Sequence, residues 1–490
     1  MTVLSVCAHG FVFCPILVIL VYNLFEHNYA RKHFFWFAGA GALWQLFSSA
    51  AGFLAARSAK TAAYDFTVLW DGSAPGAAYF ELTAPKFLLL FVIGMVAFVS
   101  VLIAHRTVDF NRSSYTNLLM ILMLGMNGML LVTDLFSMYV FMEVIGISCF
   151  IMIAMFRTRT DLEGSFKYLV LSELASIFIL SGIAFLLMKT GSLRFQDLAG
   201  LGSRVSLGGG RLEDFLVYAA MVLLLAGFAI KTGVVPFHSW LPDAHQSADT
   251  SVSVLLSGVV IKIAGVYGLI TLAQLFGDIP PVRASLAAIG ILSVVVGALL
   301  AARQSHFKRV IAYSSVSQMG YILLGLSTGT RLGLVAALAH VFSHAAFKST
   351  LFTNAAALHE QTGTLDMNQM GGLENQMPVT AFSSVVAFLS TAGIPPTAGF
   401  WSKLLIILAL WTSGARVLAG TALVASILTS AYLIRMQRMV FFGQTKPSLE
   451  GVREIRGSVL AAEVLLTAVT IGVGLLYPFL LALLHAGGIL

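Results

Sequence analysis

The stretch Lys231-Thr-Gly233-Val-Val-Pro236-Phe-His238-Ser-Trp240 lies inside a run, 213–247, that is otherwise largely apolar. A straight helix over that run would reach about 50 Å at 1.5 Å per residue, well beyond a hydrocarbon core of roughly 30 Å. Pro236 removes a backbone donor and crowds the preceding turn, and Gly233 lowers the cost of unwound backbone. The run therefore reads as two half-helices joined by a break. Non-helical backbone at membrane depth persists only where protein buries it or water lines it. A second run, 378–412, repeats the pattern in Gly393-Ile-Pro395-Pro396-Thr-Ala-Gly399-Phe-Trp401-Ser-Lys403. Paired broken helices in corresponding halves point to a transporter built from inverted repeats, with its site at the midplane.

The rest of the chain agrees. Of 490 residues, 58% are hydrophobic and only 10% charged, against roughly 25% charged in a soluble domain. That balance excludes a soluble single-core enzyme, a disordered chain and a nucleic-acid-binding domain. Fourteen spans are expected, at 1–22, 33–56, 84–104, 115–132, 134–155, 166–188, 213–247, 250–273, 284–302, 308–328, 331–357, 378–412, 417–442 and 458–484. They are continuous apolar runs rather than ten-residue alternations, so helices are indicated and not a barrel. The expected fold is an all-α integral membrane protein, one polytopic domain over 1–490, with transport repeats over 115–273 and 284–442.

Lysine and arginine set the orientation. Loops after odd-numbered spans carry fifteen of them and loops after even-numbered spans nine, counting Lys60, Arg204 and Arg211 in the second group. This places the first set in the cytoplasm and both termini outside. The net charge of +7 is thereby accounted for by topology, without a nucleic-acid partner. Cys7, Cys14 and Cys149 fit no metal pattern, and Gly208, Gly209 and Gly210 are not followed by the Lys-Ser/Thr of a phosphate loop. No resident metal and no cofactor are expected.

Five lysines lie within spans. Lys86 begins one and is expected to snorkel to the interface. Lys231, Lys262, Lys348 and Lys403 lie deeper, as does Glu143. His340, His344 and Lys348 follow one another at steps of four, which places them on one stripe of a helix. A charge at the bilayer centre costs at least roughly 2.5–3.5 kcal/mol, so this set demands pairing or hydration. A buried lysine beside a movable carboxylate is suited to exchange protons, and the set reads as a proton relay. His340 and His344 have the spacing of zinc ligands, but Val341 stands where a zincin needs glutamate.

At these residues the chain resembles the antiporter-like, proton-translocating subunits of respiratory complex I, and equally their relatives in membrane-bound hydrogenases and Mrp-type cation/proton antiporters. The matching stretches are Met142-Glu143, Lys167-Tyr168, and Lys231 followed by Pro236-Phe-His-Ser-Trp-Leu-Pro-Asp-Ala-His245. They continue with Lys308 through Tyr321, His340 through Lys348, Gly371-Gly-Leu, and Gly393 through Lys403. The resemblance implies that Glu143 and Lys231 form the first half-channel, with Lys262 the central connecting lysine. It further implies that His340, His344 and Lys348 carry the relay across to Lys403 at the exit. His238, Asp243, His245 and Lys308 would support it. It implies other membrane subunits and peripheral iron–sulfur electron-transfer subunits as partners, H⁺ or Na⁺ as the cargo, and a location in the inner cell membrane. Three departures stand out: Ala248-Asp249-Thr250-Ser251 where the family has Ala-Pro-Thr-Pro, Ser257 in place of a histidine, and His306 in place of an aspartate.

Overall fold

The computed structural model describes residues 3–24, 27–58, 64–67, 79–109, 112–201, 212–277 and 279–486. Lys60, Arg204, Arg211, the glycines 208–210 and both chain ends lie outside them. In chain order the elements begin with α1 (Val3–Leu24), α2 (His27–Ser58), a two-stranded antiparallel hairpin of β1 (Tyr64–Thr67) and β2 (Tyr79–Leu82), α3 (Ala84–Thr107) and α4 (Arg112–Leu131). Next come α5 (Leu135–Ile153), α6 (Arg159–Thr190), α7 (Phe195–Leu198), α8 (Leu212–Thr232), α9 (Trp240–Ser247) and α10 (Thr250–Leu255). A π-helical segment, Leu256–Tyr267, leads into α11 (Gly268–Phe276). The remainder holds α12 (Pro280–Ala302), α13 (Phe307–Ser327), α14 (Arg331–Thr362), α15 (Pro378–Ala392), α16 (Ala398–Thr412), α17 (Arg416–Val440) and α18 (Ser458–Ala486).

Among the described residues, twelve helices are long and apolar enough to cross a membrane. Gly10–Leu24, Pro378–Ala392 and Ala398–Thr412 are shorter apolar helices. Counting the first as one crossing and the other two as one interrupted crossing gives the fourteen expected. Both breaks fall where the prolines and glycines put them. α8 stops at Thr232 and helix resumes at Trp240; α15 stops at Ala392 and helix resumes at Ala398. Gly233 (φ 69°) and Gly393 (φ 83°) take left-handed backbone, which only glycine adopts without strain. Val235–Pro236 and Pro395–Pro396 are cis.

The span expected at 250–273 is present as Thr250–Phe276, and its middle is a π segment carrying Lys262. Segments of this kind widen the helix and concentrate at functional sites, but leave no mark in hydropathy. One expectation needs correcting: Lys86 does not extend to the surface. Its side chain is buried, donates to the Glu81 carbonyl (3.1 Å) and pairs with the Glu81 carboxylate (3.4 Å).

The chain divides into two compact units. Unit 1 comprises 1–101, 108–232 and 259–282. In it α1, α2 and α4 are tied by a buried amide pair, Gln45 and Asn127, which exchange hydrogen bonds of 2.8 and 2.9 Å. Asn127 also donates to the Phe11 carbonyl (2.8 Å). α6 starts at a capping box of Thr158 and Asp161 and ends at Gly191 in left-handed backbone. One face of α6 leaves Phe166, Val170 and Ile177 exposed, as suits contact with lipid. Unit 2 comprises 102–107, 233–258 and 283–490. Its centre is α14, packed by α13, α15, α16 and α18 and buried along most of its length. The Thr330 side chain caps its first turn and Gly363 ends it.

Candidate functional site

In unit 1, Lys231 occupies the last turn of α8, immediately before the break. Its Nζ lies 3.7 Å from Glu143 Oε1 on α5 and donates to Ser172 Oγ on α6 at 2.7 Å. Ser176, one turn along α6, donates to the same Glu143 oxygen at 2.5 Å. Each charge therefore has a neutral hydroxyl partner as well as the other charge. Gly146 lies beside the pair, where a Cβ would make ordinary contact with Ser172 Oγ at 3.4 Å and Lys231 Nζ at 3.6 Å.

Lys262 is buried in the part of the π segment that belongs to unit 1. Gly265 brings that segment against the end of α8, where a Cβ would fall 2.5 Å from the Thr232 backbone nitrogen. Gly268 does the same against Phe228, at 2.2 Å from its ring. The wide helix carrying Lys262 is thus fixed directly on the turn carrying Lys231.

In unit 2, His340, His344 and Lys348 are all fully buried on α14, and the two imidazole centroids are 6.4 Å apart. His340 Nδ1 and Ser402 Oγ on α16 are 2.9 Å apart. Lys348 donates to the Ile311 carbonyl at 3.0 Å. Lys403, next to Ser402, donates to the Thr391 carbonyl at 2.8 Å and sits 4.5 Å from the centre of the Tyr321 ring. Neither of these two partners is a carboxylate. Gly399 allows the second break to close, since a Cβ there would fall 1.8 Å from the Ser390 carbonyl oxygen. Gly474 on α18 covers Pro396.

The supporting residues also belong to unit 2. Asp243 pairs with Arg309 at 2.7 Å, and Lys308 donates to the Ala248 carbonyl at 2.8 Å. His245 stacks on Phe352 at 4.6 Å, and His238 meets Tyr313 edge-on at 6.2 Å. Of the departures, Ser257 and Ser315 share a hydrogen bond of 3.1 Å, while Asp249 caps α10. His306 precedes α13 and forms an antiparallel bridge with Asp366. Burial, with Lys308 and Arg309 beside it, holds its pKa down to about 4 against the opposing pull of Asp366.

Three carboxylates are not apparent from the sequence pattern. Glu173 follows Ser172 on the exposed face of α6. Glu463 is fully buried on α18, and Glu454 is half-buried in the loop before it. Hydropathy averages over such single residues; counting every acid inside a span would have found Glu173 and Glu463.

The fold and these buried charges define a multi-span integral membrane protein with two interrupted helices, each bordered by a lysine. Residues 132–429 match the family described as NADH:quinone oxidoreductase/Mrp antiporter, TM, and the chain belongs to that family. It is 32% identical to NADH-quinone oxidoreductase subunit N of Desulforudis audaxviator over 374 residues, 74% of this chain and 73% of that one. It is 32% identical to a Na(+)/H(+) antiporter subunit of Alkalihalophilus pseudofirmus over 414 residues, 83% of each chain. Among solved structures it resembles a chain of the Mrp complex from Dietzia sp., with a TM-score of 0.88 and 26% identity over 99% of this chain and 96% of that one. It also resembles a chain of the membrane-bound sulfane sulfur reductase, an archaeal respiratory membrane complex. There the TM-score is 0.87 and the identity 29%, over 98% of this chain and 97% of that one.

Proposed function

We propose that this chain is a proton-translocating subunit of a membrane redox complex, moving ions while partner subunits carry electrons. The observation that carries the reading is the Glu143–Lys231 pair. At 3.7 Å it is longer than a hydrogen bond, and Ser172 and Ser176 stand ready to hold each group when the pair parts. A buried pair that can open without stranding either charge is suited to pass a proton; one that cannot is structural. Lys262 in unit 1, and His340, His344, Lys348 and Lys403 in unit 2, provide the further buried stations. The transport repeats would span 115–273 and 284–442, each holding one break.

The partners would be other membrane subunits and peripheral iron–sulfur subunits, in the inner cell membrane, with both termini outside. A second reading, a subunit of an Mrp-type Na⁺/H⁺ antiporter, is favoured by the fuller coverage of the Alkalihalophilus antiporter relative, 83% against 74% of this chain. The test is Glu143→Gln in the assembled complex in membrane vesicles. Transport should fall by at least about a hundredfold, the scale of a removed proton-transfer group, with assembly and electron transfer to a soluble acceptor retained. Parental transport would mean that the pair is structural.

A further inference from the structure

Unit 2 contains a buried carboxyl group that the relay above does not use. Glu463 is fully buried on α18. Its Oε1 accepts from Asn354 Nδ2 on α14 at 2.7 Å, and its Oε2 lies 3.0 Å from Thr380 Oγ1 on α15. The same hydroxyl lies 2.8 Å from Glu454 Oε1. One threonine thus stands between two carboxyl groups, and a hydroxyl has a single proton to give.

Glu454 is the member of the pair built to be charged. Its Oε2 accepts from the Val379 and Thr380 backbone N–H groups at 2.6 and 3.3 Å, at the positive end of α15, and its Oε1 accepts from the Ile455 N–H at 3.2 Å. The Thr380 proton therefore points to Glu454. What then faces Glu463 is a hydroxyl lone pair, and the 3.0 Å contact is a hydrogen bond only if Glu463 Oε2 carries a proton and donates it.

A second observation is a polar neighbourhood with unused acceptors. Asn354 Oδ1, on the amide that holds Glu463, is buried with no hydrogen-bond partner among the described residues, and so is Gln437 Oε1. Buried polar atoms of this kind are ordinarily satisfied by water. Both amides reach one stripe of α15: Asn354 Nδ2 donates to Ser383 Oγ at 3.2 Å, and Gln437 Nε2 donates to Ser384 Oγ at 2.6 Å. Thr380, Ser383 and Ser384 in the first half of α15 and Ser390 and Thr391 at its end are all buried, with the apolar residues 385–389 between the two groups, and the Thr391 carbonyl holds Lys403 Nζ. From Thr380 to Thr391 is about 16 Å along the helix.

We propose that Glu463 is a proton-holding residue that exchanges with the surface through Thr380 and Glu454, at the start of the helix whose end holds Lys403. The inference rests on the ion-translocating reading. The transfer is a balanced double step. The Oε2–H bond of Glu463 breaks as a new O–H forms at Thr380 Oγ1. The original Thr380 O–H breaks as its proton joins Glu454 Oε1. Glu463 is left as the carboxylate and Glu454 as the acid. Glu454, half-buried between the exposed Arg453 and Arg456, releases the proton to water. Glu463 is then free to take another.

The test uses the assembled complex with Glu463→Gln, Thr380→Val and Thr380→Ser. Glutamine reproduces the protonated acid, donating to Thr380 and accepting from Asn354, so folding should be retained. Infrared difference spectra at neutral pH should show a carboxylic-acid C=O stretch in the parent that is lost in Glu463→Gln and kept, at shifted frequency, in Thr380→Val. Proton uptake per turnover should fall at least about tenfold in Glu463→Gln and Thr380→Val, and Thr380→Ser should restore it. If Glu463→Gln does not assemble, the Thr380 pair decides. A parent without the acid band, a band abolished by adding Na⁺, or parental uptake in Thr380→Val would each overturn the proposal. The infrared band does not depend on transport. Should Glu143→Gln and Lys403→Met both transport normally, the translocation reading falls while Glu463 is still tested.

Discussion

Lys231 has a charged partner in Glu143 at 3.7 Å and a neutral one in Ser172 at 2.7 Å, and the proposed relay rests on that arrangement. Ser172→Ala should leave Lys231 with Glu143 alone, hold the pair closed and slow transport roughly tenfold while leaving assembly intact. Transport assays of variant and parent at equal protein content check this. Lys403 is held by a carbonyl and an aromatic ring, so no fixed counter-charge is stranded there on substitution. Lys403→Met removes the proton and keeps much of the length. A relay should lose coupled transport and keep its redox rate, whereas a scaffold should tolerate the change or gain stability. His306 adds a pH dependence outside the spans. Its folded pKa of about 4 lies below the ordinary value near 6.5, so the unfolded chain binds the proton first as pH falls. The stability it contributes is fully present above about pH 6.5 and is lost as pH falls through that value toward 4. His306→Asn should flatten the thermal-unfolding profile over that interval; an unchanged profile would show that other groups set it.

Elements position these residues through close approach more than through propensity. The π segment bearing Lys262 can lie on the end of α8 only because residue 265 has no side chain. Gly265→Ala would set a Cβ 2.5 Å from the Thr232 backbone nitrogen, and backbone cannot move aside as a side-chain tip can. The expected cost is about 1–3 kcal/mol, read as a lower unfolding temperature in detergent, together with a loss of transport as Lys262 shifts from α8. Gly420, with nothing near its Cβ position, is the control: Gly420→Ala in α17 should be neutral or mildly stabilising. The second break obeys the same rule, since Gly399 faces the Ser390 carbonyl and donates its N–H to Ser390 Oγ at 3.1 Å.

At the scale of the whole molecule, loop charge predicts an orientation. The excess of lysine and arginine after odd-numbered spans predicts that 441–457 face the cytoplasm and that the loop after α16 faces outside. A membrane-impermeant thiol reagent applied from outside should label Ser413→Cys and reach Gln444→Cys only after permeabilisation; both sites are exposed. The reverse pattern would invert the topology, and with it the face at which Glu454 opens. Mass spectrometry of co-purifying subunits separates the two functional readings. Iron–sulfur proteins favour the redox complex, and small antiporter subunits alone favour the Mrp type.

Much of this was determined by the sequence. Fourteen crossings follow from hydropathy, because each apolar run must hide its backbone in helix wherever water is absent. Both breaks follow from Gly233, Pro236, Gly393, Pro395 and Pro396, whose backbone constraints are local and survive any context. The steps of four at His340, His344 and Lys348 are enough to put them on one stripe. Tertiary structure alone decided what each buried charge touches. Glu143 and Lys231 are 88 positions apart in the chain, and no local rule sets the 3.7 Å between them or supplies Ser172 and Ser176. The π turn at Lys262 is seen only in the fold, where Gly265 and Gly268 lie against α8, and Glu463 gained meaning only beside Thr380 and Asn354. Periodicity and backbone chemistry are properties of neighbouring residues, but the partners of a buried charge are chosen by whichever helices meet, and those meetings are written across the whole chain.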